Sequence, residues 1–452
     1  MKRVKFLVSA LLAVFCASTA MCQTGASAYF LEGSFDRYRL NPAFSPERAF
    51  LAIPVLGGNG LNARMNVGLA DFLFESESHP GKLTTFMSSD ISADRFLDGL
   101  PDRSALGFEY GTDVLSFGFG KEKWYAWFDS RLVVRTGMSI PKEMFSFMKA
   151  GLSRGEYEIN DINVNASSYL ETALGFQYEP VRHLRIGAAF KPLLGLAYAD
   201  ACIDRLYAST AGASWKVMAD ATVRNGVPMT EVVLEEGKIS DVRAADGKFK
   251  LNPLNGFAVD LGAEYDFEGI VPGLRASASI SDLGSIRWTD LQIFGTDVSK
   301  CAEFRGFLPD GSIEDFGDDL KDMMFLYEKG ATKMTQKLDA TLRAGIEYSL
   351  PFLDCLSVGE LYTRYGGHTD ISEYRTSLNL SLFKFLELSG NVAFSNLGHS
   401  FGGIINLHPA GLDFFFAADM SKMEVNPQMI PLSGFSLDLR TGIRLALSSL
   451  RY

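Results

Sequence analysis

The sequence predicts an all-β fold: a transmembrane antiparallel β-barrel of about fourteen strands, with an N-terminal hatch and a few short helices in its outer loops. Three observations predict it. Apolar and polar residues alternate with a period of two along most of the 452-residue chain. The alternating segments run ten residues or more, the length a tilted strand needs to cross a bilayer. The connections between them sort by length, short on one side and long on the other, as in outer-membrane barrels.

Composition removes other classes. With 21% charged and 47% hydrophobic residues the chain is not of disordered type. A net charge of −11 and a pI near 5.1 argue against nucleic acid as a partner. Past the leader, no uninterrupted apolar run reaches the length of a membrane helix.

Residues 1–22 read as a signal peptide, with Lys2, Arg3 and Lys5 before an apolar stretch from Phe6 to Phe15 and small residues at Ala17, Ser18 and Ala20. Cleavage after Ala20 or after Cys22 fits. The predicted location is the outer membrane of a Gram-negative bacterium. The few cysteines form no disulfide framework, and no Cys/His cluster suggests a metal.

Residues 23–48 are mixed in character, contain Ser and Gly, and lack a period, which suits a hatch. A fourteen-strand barrel is too wide for its own side chains to fill, so something must plug it. Pro42 restricts Asn41 to extended backbone and sets a turn there.

Residues 49–452 form the predicted barrel. Strands are expected at 60–74, 105–120, 124–138, 160–178, 184–207, 255–268, 274–288, 338–350, 356–365, 373–382, 385–396, 400–408, 411–420 and 434–447. In 257–267, for example, Phe257, Val259, Leu261, Ala263, Tyr265 and Phe267 alternate with Ala258, Asp260, Gly262, Glu264 and Asp266. Segment 213–224 also alternates and is expected in a hairpin projecting outward. Trp124, Phe176, Tyr178, Tyr265, Phe267, Tyr348 and Phe383 fall at the short-turn ends of their strands, where an aromatic girdle belongs.

Two stretches resemble a known group. Residues 27–54, SAYFLEGSFDRYRLNPAFSPERAFLAIP, and residues 279–288, SISDLGSIRW, resemble an uncharacterised outer-membrane family of Bacteroides-type bacteria. Asn41, Pro42 and Ala43 match a short NPA motif of the wider long-chain fatty-acid channel (FadL-like) barrels. That resemblance implies fourteen strands, a lumen hatch, and either import of hydrophobic compounds or a carrier role of the PorV type.

Chemistry-bearing motifs are few. Gly151-Leu152-Ser153-Arg154-Gly155 matches GxSxG but lacks the strand before it that a nucleophile elbow needs. His399 and Ser400 are expected in a loop. No catalytic set assembles, and the chain is not read as an enzyme; no cofactor or metal is expected. Interspersed inward charges such as Arg64, Asp129, Arg131, Asp260, Arg440 and Arg444 suggest a network fastening the hatch to the wall. Phe145, Phe147 and Met148 fall on a short helix near 141–149. Met323, Met324, Phe325 and Tyr327 fall on a second one that starts near Glu314 and Asp315. Both could capture a hydrophobic ligand, because Met and aromatics adapt to varied apolar shapes. The expected partners are outer-membrane lipid and either a small hydrophobic molecule or a protein. The alternative function is a non-transporting scaffold or carrier.

Overall fold

The computed structural model describes residues 25–447 apart from 47, 80, 151–154, 210–214, 229, 236–237, 245–254, 300–301, 305–325, 354, 367–370, 383–384, 396–397, 410 and 422–433. The leader 1–22 and the GxSxG serine therefore lie outside the described residues.

Fourteen antiparallel wall strands close into one barrel. Strand β1 comes in two runs, Phe50–Ala52 and Asn59–Met65. Next are β2 (Arg103–Lys121), β3 (Trp124–Pro141), β4 (Glu156–Val181), β5 (Leu184–Ser209), β6 (Gly256–Asp266) and β7 (Leu274–Gly295). Strand β8 again has two runs, Tyr327–Lys337 and Thr341–Ser349. Then come β9 (Leu356–Tyr365), β10 (Ile371–Leu382), β11 (Leu386–Ser395), β12 (Gly398–Leu407), β13 (Leu412–Ser421) and β14 (Phe435–Ala446). Both runs of β1 pair with β14 on one side and β2 on the other, which closes the wall and leaves no free edge.

The wall separates two environments. Phe119, Leu174, Phe257, Ile346, Phe401 and Phe416 are half exposed on the outer face. Their strand neighbours Asp129, Asp260, Arg343 and Arg444 are buried inside. An apolar exterior around a charged interior is the pattern of a barrel that spans a membrane. At the short-turn end Trp124 stacks on Phe176 with ring centroids 6.3 Å apart, and Tyr265 meets Phe267 edge-on at 4.8 Å. These are residues of the expected girdle.

Three sequence expectations are corrected. The first strand does not run to residue 74: the chain leaves the wall after Met65, and the Asp71 carboxylate accepts the Gly68 N–H at 2.6 Å to start a short helical turn. Between Ala52 and Asn59 the chain kinks outward, with Val55 at φ +67°. It stays bonded to both neighbours there, through Val55 N to Asp113 O and Ile443 N to Leu56 O, each 2.8 Å. Tyr327 opens β8 rather than belonging to a helix. This run is largely exposed on both faces, so it carried no apolar period to read. The expected outward hairpin is present: Trp215–Asn225 folds back antiparallel along β5 residues 199–209, and its other edge pairs with β7 residues 292–295, directly above β6 in the same slot of the wall. The parity of the barrel survives, because β6 and this segment share one berth. His399 lies on β12, its ring 5.0 Å from Phe394, not in a loop.

Strands β4 and β5 are 26 residues each. At about 3.3 Å per residue and a tilt of roughly 40°, each rises roughly 65 Å, far beyond an apolar band of about 25 Å. The excess stands at the long-loop end.

Candidate functional site

Residues 25–46 run through the lumen, and nearly all of them are buried. A short helix, α1 (Arg37–Leu40), ends at Asn41, whose extended backbone (φ −149°, ψ 113°) is what the following proline demands. Asn41 is fully buried. Its Nδ2 donates to Ala263 O at 3.3 Å and Ala278 O at 3.4 Å, and its Oδ1 accepts the Ala43 N–H at 2.9 Å. The tripeptide sits tight on the wall. A Cβ on Gly262 would stand 1.9 Å from Asn41 Oδ1, and one on Gly187 would stand 1.9 Å from Pro42 O. Two inward strand positions are glycine because the inner segment occupies the space.

Charge fastens this segment around the full circumference. Arg39 Nη2 bonds Asp129 at 2.6 Å and Asp113 at 2.8 Å. Arg444 on β14, fully buried, donates to Asp36 and, through Nε, to Gly57 O at 3.1 Å. Burial alone would raise the Asp36 carboxyl, but Arg444 and Arg39 hold it well below the usual carboxylate range. Arg275 on β7 pairs with Glu32. Ser27 donates to Asp419 on β13 at 2.6 Å and accepts from Asn391 on β11 at 2.7 Å. Glu387, at the start of β11, accepts the Gly33 N–H at 3.1 Å, and His408, in the turn after β12, lies 3.5 Å from the same carboxylate and is bonded to Asp413. Burial alone would lower the His408 pKa; hydrogen bonds to Asp413 and Glu387 outweigh it and raise the ring to about 9.

One inward step towards the long loops, the lining changes character. Glu171 gives way to Tyr169, Arg131 to Val133, Lys191 to Leu193 and Asp260 to Ala258. These join Tyr198, Ile286, Trp288, Leu291 and Leu338 in one buried apolar cluster, with Met334 against it. Trp288 Nε1 donates to Gln336 at 2.9 Å, and its ring lies 5.1 Å from Tyr198. The cluster backs onto the place where β6 begins and Trp215–Asn225 ends.

A family model for a family of unknown function, DUF5723, matches residues 42–419. The chain belongs to this family. No curated protein matches the DUF5723 chain in sequence. Among solved structures it is similar to the Ralstonia pickettii toluene transporter TbuX, at 11% identity and TM-score 0.41, over 92% of this chain and 98% of that one. The Pseudomonas putida toluene transporter TodX is similar at 10% identity and TM-score 0.42, over 95% of each chain. A Pseudomonas aeruginosa FadL homologue is similar at 11% identity and TM-score 0.42, over 95% and 97%.

The loop residues of the DUF5723 chain fall in two places. Helix α2 (Ala93–Asp98) starts at Ser92, whose hydroxyl accepts the Arg95 N–H at 3.2 Å. It packs beside α3 (Lys142–Ala150), and the two bury Phe96 and Phe145 with Ile91 and Leu100. Phe147 meets Tyr157 edge-on at 5.0 Å, and Met148 stays partly exposed. Met323, Met324 and Phe325 lie outside the described residues. Tyr327, half-buried, pairs with Lys238 at the start of β8. Sequence reasoning missed the inner apolar cluster. Its signal was present in Val133 and Leu193, apolar residues at positions whose period assigns them to the lumen; Ile286 and Trp288 turn inward only past the register shift near Asp282, which the period does not show.

Proposed function

We propose that this protein is a FadL-like outer-membrane channel through which a small hydrophobic compound passes without energy input, in a Gram-negative, Bacteroides-type bacterium. Residues 1–22 export it, and residues 23–48, with Asn41, Pro42 and Ala43 at the wall, act as its hatch. One observation carries the reading. The lumen holds a buried aromatic and aliphatic cluster directly above the hatch. An apolar solute leaving the outer loops would replace these contacts with its own. Phe145, Phe147, Met148, Met323, Met324, Phe325 and Tyr327 are the capture residues of this proposal, with Met148 presenting the exposed surface of the first group.

The test is uptake of a small aromatic hydrocarbon by cells carrying the protein, against cells carrying the Trp288→Ala variant and cells with none. Uptake above the empty control, altered by the variant, supports the channel. Equal uptake in all three sinks it.

A second reading, a scaffold or carrier for a secreted or surface protein, is favoured by the tall β4–β5 crest, which a channel mouth does not require. Native mass spectrometry of gently extracted protein separates the two: a lipid-like adduct fits the channel, a stoichiometric protein partner the scaffold.

A further inference from the structure

The outer face of β7 and β8 carries a basic cluster. Arg287 on β7 and Lys333 and Lys337 on β8 are exposed. Their chain neighbours Ile286, Trp288 and Met334 belong to the inner apolar cluster, so by alternation the three cations point away from the lumen. Arg287 lies opposite Thr335 and therefore between the two lysines; Lys337 lies opposite Ser285. Diagonal neighbours on paired strands are about 7–8 Å apart, close enough for like charges to repel. Among the described residues no ion pair reaches any of the three. Asp290, exposed at the register shift opposite Lys333, is the acid beside them, and it is not paired with them.

The height of the cluster gives it meaning. Tyr265, in the girdle at the short-turn end, pairs with Ala276 on β7. At about 3.3 Å per residue and a tilt of roughly 40°, Arg287 stands roughly 25 Å above that row, the thickness of the apolar band. Just below the cations the outer face is apolar. Phe257 on β6, Leu283 on β7 and Leu342 on β8 are about half exposed, and Phe190 stacks on Phe257 at 6.4 Å. Towards the long-loop ends of β10 to β13 the outward residues are instead Tyr374, Phe394, Phe401 and Met420. Lysines on a strand edge also discourage edge pairing. That role does not explain Arg287, whose strand is paired on both sides: its N–H donates to Asn255 O at 2.8 Å, and Thr335 lies opposite on β8.

We infer that this cluster binds the phosphorylated headgroup of an outer-leaflet glycolipid. Arg287, flanked by Lys333 and Lys337, takes the phosphate, because a guanidinium matches its oxygens in pairs. The acyl chains lie on Phe257, Leu283 and Leu342. The inference rests on the outer-membrane placement proposed above and not on transport.

The experiment is a native mass spectrometry titration of the detergent-purified full chain with lipid A, the phosphorylated glucosamine lipid of outer membranes. Binding should saturate, and should weaken on the order of tenfold or more in the Arg287→Gln/Lys333→Gln/Lys337→Gln variant. It should persist in Lys121→Gln/Lys123→Gln, which alters an exposed short turn. Dephosphorylated lipid A should bind as weakly as lipid A binds the triple variant, and inorganic phosphate should not displace the lipid. Arg287→Gln alone should shift binding in the same direction, which keeps the test open if the triple variant does not fold. Equal binding by the folded variants overturns the proposal, as does equal binding of the dephosphorylated lipid or full displacement by inorganic phosphate. No lipid binding by a chain with heat-modifiable gel mobility overturns this inference alone. A chain without that mobility shift overturns the outer-membrane reading on which it rests.

Discussion

The two halves of the lumen differ in how much charge they hold: the one near the short turns adds buried ion pairs to the apolar contacts of Tyr29, Phe30, Phe35 and Tyr38, and the one near the long loops is apolar. Towards the short turns, guanidinium and carboxylate groups from the wall grip residues 25–46 in directional contacts, such as Arg444 on Asp36 and Arg39 on Asp129. Towards the long loops, Val133, Leu193, Ile286 and Trp288 meet through apolar contact that no particular orientation fixes. The first half is specific and expensive to disturb, because a buried charge loses its partner when either side moves. The second can exchange one apolar neighbour for another at small cost. The channel proposed above would use both: a fixed part and a part that can repack.

Four experiments would break or sharpen that comparison. Arg444→Ala leaves Asp36 and Asp113 buried beside a missing cation, so it should cost about 3–5 kcal/mol. Urea unfolding followed by tryptophan fluorescence measures it, and a loss below that of the next variant would reverse the ranking. Leu193→Ala, at a fully buried position in the apolar cluster, should cost about 2–5 kcal/mol and leave the Arg39 and Arg444 contacts in place. Destabilisation of this variant without weakened attachment of residues 25–46, read by limited proteolysis at the short-turn end, is the expected result.

His408 supplies the third. Its ring is raised to about 9 in the folded state, so its contribution is fully present below the unfolded value of about 6.5 and lost as pH rises through about 9. Stability should fall by about 3 kcal/mol over that window, and His408→Gln should flatten the profile. An unchanged pH dependence in that variant would remove the Gly33–Glu387–His408 contact from the account. The smallest effect belongs outside the lumen. Ser92→Ala removes the cap of α2 and should cost about 1 kcal/mol, confined to the α2–α3 pair, as faster amide exchange around Phe96 with the global midpoint unmoved.

What could be read in advance follows from what makes a period. Ten-residue strands with lipid on one side and charge on the other, such as β6, announce themselves, and the short turns between them do too. The upper part of β8 did not, because Tyr327–Lys337 stands clear of the apolar band and both faces are polar. The shared berth of β6 and Trp215–Asn225 was also hidden. Alternation shows that a segment is a strand, not which slot it fills. In the lumen, inward charges were legible by parity, but their pairing with residues 25–46 depends on closure of a ring across hundreds of residues. Gly187 and Gly262 were visible as inward glycines; only the fold shows that Asn41 and Pro42 need their room.

The wall seam lies where β1 meets β14, and the inner segment leads directly into β1. The same segment bonds Asp419 on β13 and Arg444 on β14, the last strands in the chain. Strands β13 and β14 thus rest on a surface that residues 25–46 carry, and that surface lies against the seam. A chain stripped of residues 25–48 loses the contacts that brace the last two strands beside the seam.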